Sequence, residues 1–168
     1  MYNPVYKTGV GDMAPDFTLP SSDGRNVRLY DCKNKKAVVL FFFNHEDPRC
    51  LDLLASLAAD YPQFKAADAV VFPITIVPVS AGRQIVDRLR LPFGILCDSD
   101  HSVTLMYGVG QCSSEPQHVC FEIITHISEP RLLVVDPSGT IRFRHSLNEP
   151  GQRPDNAKLL EECKAAFR

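Results

Sequence analysis

The order of apolar segments in this chain predicts a layered α/β domain: a central mixed β-sheet flanked by helices, with a β-hairpin at the N-terminal end. Apolar runs of strand length alternate with helix-period segments through the middle of the chain. Two short alternating segments around a turn signal precede them, and two apolar strands around a tight turn follow. The alternation calls for parallel pairs, and the late hairpin makes the sheet mixed. At 168 residues and 45% hydrophobic content, the chain can bury a sizeable core as one domain over 1–168.

Residues 16–19 and 27–29 flank Ser21-Ser22-Asp23-Gly24 and predict the hairpin. Residues 37–43 are almost continuously apolar, the pattern of a strand buried on both faces. Cys50, Leu54, Leu57, Tyr61 and Phe64 then recur at helical spacing, which puts Cys50 in the first turn of a helix, facing inward. Pro62 predicts a kink or a restart, with Asp60 as cap. Residues 70–77 predict a second buried strand, weakened by Pro73 and Pro78, because proline has no N–H for a ladder. Residues 83–89 and 102–107 predict short helices, ended before Pro92 and by Gly108, with a short strand over 93–97 between them. Residues 109–129 are irregular apart from a strand pattern at 119–124. Residues 131–135 and 140–144 pair around Asp136-Pro137-Ser138-Gly139. A last helix over 156–167 has Asp155 as cap and Leu159, Leu160, Cys163 and Phe167 inward.

Net charge is −2, without the basic excess of a nucleic-acid binder. No apolar stretch nears the roughly 20 residues of a membrane-spanning helix. The first residues lack a basic region followed by an apolar core, so the expected location is cytoplasmic. Cysteines lie at 32, 50, 97, 112, 120 and 163. In a cytosolic setting they stay reduced rather than forming a disulfide framework. None shows C-x-x-C spacing, and Cys112 and Cys120 with His118 and His126 fit no common zinc pattern, so neither metal nor cofactor is expected. Cys50 is the exception that draws chemistry. It stands where an apolar strand passes through a short polar loop into a helix, and amides at a helix start favour thiolate over thiol.

The chain resembles the peroxiredoxin family, the alkyl hydroperoxide reductase and thiol-specific antioxidant group within the thioredoxin-like superfamily, over residues 9–145. The residues that carry the resemblance come in the right order. They are Gly11-Asp12-Met13-Ala14-Pro15-Asp16-Phe17-Thr18-Leu19 with Asp23-Gly24, the strand over 38–43, Leu91-Pro92-Phe93 with Asp98, Tyr107-Gly108-Val109, and the hairpin Val134-Val135-Asp136-Pro137-Ser138-Gly139-Thr140-Ile141-Arg142. The resemblance implies a thioredoxin-like fold and a peroxidase that reduces hydroperoxides through Cys50. An external thiol, either a thioredoxin-like protein or a small thiol, would regenerate it, and a homodimer is a frequent form.

The family's active-site motif is kept only in part. Its proline seven residues before the cysteine and its threonine three before it are Phe43 and Asp47 here; Pro48 and Cys50 match. The family's arginine, six residues before the aspartate of the late hairpin, is Pro130, with Arg131 one residue later. Arg131 either takes the arginine's role or points away. Pro130 resembles the cis-proline that faces the cysteines of thioredoxins, and the sequence leaves its isomer open. Ala55 stands where many bacterial members carry a resolving cysteine; Cys112 and Cys120, in the irregular segment, are the remaining candidates. Cys32, Cys97 and Cys163 read as packing residues.

A threonine hydroxyl donates to a thiolate; an ionised Asp47 cannot. At about 4 Å and an effective dielectric of about 20, two negative charges repel by roughly 4 kcal/mol, up to roughly three pKa units. Three readings of Asp47 remain open. It is protonated and donates; it is compensated by Arg49, Arg131 or the helix start; or it caps the helix together with Pro48. His45 and Glu46 lie in the loop beside the thiol, where they orient substrate or are simply solvated. Two alternatives to the peroxidase stand. One is a thioredoxin-like thiol protein with the D-x-x-C site Asp47-Pro48-Arg49-Cys50. The other is a binding module that kept the fold and lost the chemistry.

Overall fold

The computed structural model describes residues 6–110 and 127–168. An antiparallel hairpin, β1 (Thr18–Pro20) and β2 (Asn26–Arg28), leads through a 3-10 turn at Leu29–Cys32 into the main sheet. There follow β3 (Ala37–Phe42), α1 (Pro48–Ala59), α2 (Tyr61–Ala66), β4 (Ala69–Thr75), α3 (Val79–Leu89), β5 (Leu96–Cys97), α4 (Ser102–Met106), β6 (Arg131–Val135), β7 (Ile141–Ser146) and α5 (Asn156–Ala165). The strand order is β5-β4-β3-β6-β7; β3, β4 and β5 run parallel, while β6 is antiparallel to β3 and to β7. This is the expected mixed sheet with its separate hairpin.

β3 is central, and every one of its residues is buried. Strand alternation divides its side chains between two cores. Val39, Phe41 and Phe43 join Leu53, Leu54, Leu57, Phe64, Leu132, Val134, Leu159 and Cys163 beneath α1, α2 and α5. Val38, Leu40 and Phe42 join Phe17, Tyr107, Leu133 and Val135 on the opposite face.

Pro73 sits inside β4 without breaking it. Ala37 N–H donates to Asp68 O and Phe43 N–H to Ile74 O, so the even residues of β4 bond to β3 and the missing N–H of Pro73 faces β5. There pairing begins only at Ile74. Pro62 restarts the helix rather than kinking it: α1 stops at Ala59 and α2 begins at Tyr61. Asp60 occupies the cap position without a side-chain cap bond. Its carboxylate instead accepts from Asn156 Nδ2 at 2.8 Å and Gln63 Nε2 at 3.4 Å. α3 begins at Val79, earlier than the apolar period indicates, because Pro78 stands at a position that needs no N–H. Gly82 lets α3 approach β5: a Cβ there would lie 2.6 Å from Cys97 Sγ. Phe167 is exposed rather than inward: α5 ends at Ala165, its C-cap Ala166 is the last residue in the core, and the chain turns outward after it. The strand expected at 119–124 lies outside the described residues.

Candidate active site

The end of β3 is pinned before the loop begins. Phe43 N–H donates to Ile74 O at 3.0 Å, and Phe43 O accepts from Thr75 Oγ1 at 2.7 Å. Asn44 Oδ1 then accepts from Glu46 N–H at 2.9 Å, an Asx turn that swings the chain into α1. Asp47 is the N-cap residue, its Oδ1 accepting from Arg49 N–H at 2.9 Å, and Pro48 occupies the first turn. Cys50 follows as the third residue of α1. It is 0% exposed and belongs to the core cluster of Phe41 and Phe43.

Asp47 is ionised. The side-chain hydrogen bond from Arg49 holds its carboxyl below the usual range, against some desolvation. Arg49 Nη2 lies 2.7 Å from Asp47 Oδ2, and Nε bonds both oxygens at 3.2 Å. The protonated-donor reading of Asp47 therefore fails, and the cap and the compensation by Arg49 both hold. The Cys50 thiol is pushed up to about 11, chiefly by burial. Hydrogen bonding from the Asn44 backbone opposes the rise; the Asp47 charge adds to it and the Arg49 charge subtracts. Carboxylate repulsion is thus a lesser cause, because that charge is already matched by a guanidinium.

The structure does not bring Arg131 to Cys50. Arg131 pairs directly with Phe42 across the antiparallel ladder and so shares the face of Phe42, away from α1. Its buried guanidinium donates to Tyr107 O at 3.1 Å and Thr8 Oγ1 at 3.5 Å, and pairs with Glu129 at 3.0 Å. The position one residue earlier, which alternation gives to the Cys50 face, is Pro130. A slip of one residue moves a side chain across the sheet, so Arg131 cannot stand in for the missing arginine. Pro130 is buried, its peptide is trans, and its O accepts from Leu147 N–H at 2.8 Å.

His45 is partly exposed, with Nε2 4.0 Å from Glu46 Oε1. Cys112 and Cys120 lie outside the described residues. Cys32, Cys50, Cys97 and Cys163 are free thiols. Burial raises Cys97 to about 11 and Cys163 to about 12, which agrees with packing roles. Among the described residues no group of His, Cys, Asp and Glu could hold a metal. A cavity of about 390 Å³ opens between α1 and the loop after β7, lined by Arg49, Asp52, His145, Leu147, Gly151 and Arg153. A larger one, about 490 Å³, lies by the hairpin and α3 and includes no residue of the β3–α1 loop. The sequence did not single out the Asn44 amide; the Asx pattern after an apolar strand was its only signal.

The sequence model of the AhpC/TSA family matches residues 10–144, the stretch from the N-terminal segment to β7. The chain belongs to the AhpC/TSA family. Among curated AhpC/TSA relatives, the putative peroxiredoxin bcp of Coxiella burnetii is 34% identical over 100 residues, 60% of this chain and 66% of that protein. The chloroplastic peroxiredoxin Q of Gentiana triflora is 33% identical over 103 residues, 61% of this chain and 48% of that one. The match thus spans between about half and two thirds of those relatives. Peroxidoxin BcpB from Mycobacterium tuberculosis superposes with a TM-score of 0.79 at 21% identity, covering 95% of this chain and 98% of that one. A mutant PrxQ from Xylella fastidiosa gives 0.77 at 18% identity, covering 97% and 99%. The fold of this AhpC/TSA chain is the thioredoxin-like fold of the peroxiredoxins. No helix among the described residues is long and apolar enough to cross a membrane.

Proposed function

We propose that the chain is a thiol-dependent hydroperoxide reductase with Cys50 as its nucleophile and an external thiol, a thioredoxin-like protein or a small molecule, as its reductant. The observation that carries this reading is the station of Cys50: third residue of a helix that starts just past the end of the central strand, its side chain against Phe41 and Phe43. Membership of the AhpC/TSA family and relatives named peroxiredoxins support it.

The thiolate attacks one peroxide oxygen. An S–O bond forms, the O–O bond breaks, and the departing oxygen takes a proton to leave as water or an alcohol. The resulting sulfenic acid is attacked by the reductant thiol, which releases water and leaves a mixed disulfide; a second thiol frees Cys50 as the oxidised reductant departs. Two features slow the first step. A thiol pKa of about 11 leaves only about one molecule in 10⁴ as thiolate at pH 7. The sulfur is also enclosed in the core cluster, so a peroxide reaches it only when the packing around it opens. The cation that serves the site is Arg49. The free state of Cys32, Cys50, Cys97 and Cys163 suits a reducing, cytoplasmic setting.

The enclosure of Cys50 and its raised pKa favour a second reading, a binding module that retains the fold without the chemistry. One experiment separates the two. The reduced protein is exposed to hydrogen peroxide, sulfenic acid is trapped with a dimedone probe, and the adduct is mapped by peptide mass spectrometry. Thiol-coupled peroxide consumption is followed in parallel. The peroxidase reading expects the adduct on Cys50 and loss of turnover in Cys50→Ser. Adducts on other cysteines with Cys50 untouched establish the second reading instead.

A further inference from the structure

Arg49 makes more bonds than its pairing with Asp47 requires. Its Nη1 donates to Leu147 O at 2.8 Å, and its Nη2 donates to Asn148 Oδ1 at 3.1 Å. Those two residues belong to the loop after β7, and that loop is itself fixed. Leu147 N–H donates to Pro130 O at 2.8 Å, Asn148 N–H to Ser146 Oγ at 3.2 Å, and Asn148 Nδ2 to Ser128 O at 3.1 Å. One guanidinium therefore joins the first turn of α1 to a loop anchored on the segment before β6. The turn it holds is the one that carries Cys50.

We propose that Arg49 is the positioning residue of the site: its fork fastens the first turn of α1 to Leu147 and Asn148, and release of that fastening brings Cys50 to solvent. The inference deepens the peroxidase reading by naming what governs access to the thiol, and it concerns a motion that precedes any reaction with peroxide. The planar guanidinium suits the task, because it can meet a carboxylate, a carbonyl and an amide oxygen in one plane. An ammonium, a point charge on a flexible stem, cannot reproduce that geometry. The Arg49 side chain is 53% exposed, so solvent screens its ionic contacts and the fastening is weak.

The test uses alkylation rather than peroxide, which keeps it apart from the activity. Cys50 labelling by iodoacetamide is followed by peptide-resolved mass spectrometry from pH 7 to 10 in the parent, Arg49→Lys and Asn148→Ala chains. The rate is the product of the open fraction and the thiolate fraction. Arg49→Lys keeps the charge and loses the fork, so labelling should rise roughly two- to fivefold at every pH, with the slope against pH unchanged. Asn148→Ala removes a loop partner and touches no charge, so a smaller uniform rise is expected. Cys163, buried in the same core on α5, serves as the internal control and should label no faster. Parent-like Cys50 rates in both variants overturn the proposal. So does a rise in Cys163 labelling in step with Cys50, since exposure would then come from global unfolding. Should the latch hold while Cys50 fails to form sulfenic acid, the peroxidase reading falls and the positioning role survives.

Discussion

Replacing Asp47 separates its two duties, capping α1 and neutralising Arg49. Asp47→Ala removes the acceptor of Arg49 N–H together with the partner of the guanidinium. The cap contributes about 1 kcal/mol, and the pair, with Arg49 half exposed, at most about 1 kcal/mol after screening. The expected loss is about 1.5–2 kcal/mol, a fall of about 3–8 °C in Tm for a domain of this size. Asp47→Asn keeps an oxygen for the cap and loses only the charge, so it should cost about 0.5 kcal/mol. Because the folded carboxyl titrates below its unfolded value, its stabilisation is present at neutral pH and disappears as pH falls through the folded pKa. The gap between parent and Asp47→Ala should therefore hold steady from about pH 5 to 8 and close below about pH 4. The thiol gives the second readout. Asp47→Asn removes a lesser cause of the Cys50 shift and leaves burial in place, so the thiol should still titrate above the ordinary value of about 8.5. Thermal melts across pH and thiol titration by absorbance check both. Equal losses for Asn and Ala would refute the cap argument, and a Cys50 pKa at or below the ordinary value would refute the primacy of burial.

Phe43→Pro installs the family's residue and should harm rather than help. It removes the N–H bonded to Ile74 O and a ring stacked 5.6 Å from Phe41, at a cost of about 3–5 kcal/mol in urea unfolding and with no faster peroxide turnover. Gly82→Ala should cost about 1–3 kcal/mol through its clash with Cys97 Sγ, and Cys97→Ala in the same chain should restore most of it. Asp98 is buried and its pKa is raised, chiefly by desolvation, despite bonds from Thr104 and Val103. The folded state therefore holds that proton more tightly than the unfolded one, and stability should fall as pH rises from about 4 through the folded pKa. Asp98→Asn should flatten that limb of the curve in denaturant titrations.

Local pattern made most of the architecture legible. The unbroken apolar run of β3 and the helical spacing from Cys50 to Leu57 each identify one element, and each element lies where its period puts it. What escaped depends on residues far apart in the chain. Asp60 looks like a cap until Asn156 takes its carboxylate. Arg131 looks like a displaced arginine until its pairing with Phe42 fixes its face. Arg49 is visibly a neighbour of Asp47, but Leu147 and Asn148 reach it only through the fold. The repulsion between Asp47 and the thiol was legible in kind and overstated in size. Burial, the larger cause, arises from the joint packing of β3, α1 and α5, which no local window contains.

The most direct test is the rate of Cys50 oxidation by hydrogen peroxide as a function of pH, read as sulfenic acid on that residue. A nucleophile kept protonated by burial should speed up about tenfold per unit from pH 7 to 10 and level off only near 11. A rate already level at neutral pH would mean that the sulfur is anionic there and that burial does not govern it; no oxidation of Cys50 at any pH would remove it from the chemistry altogether.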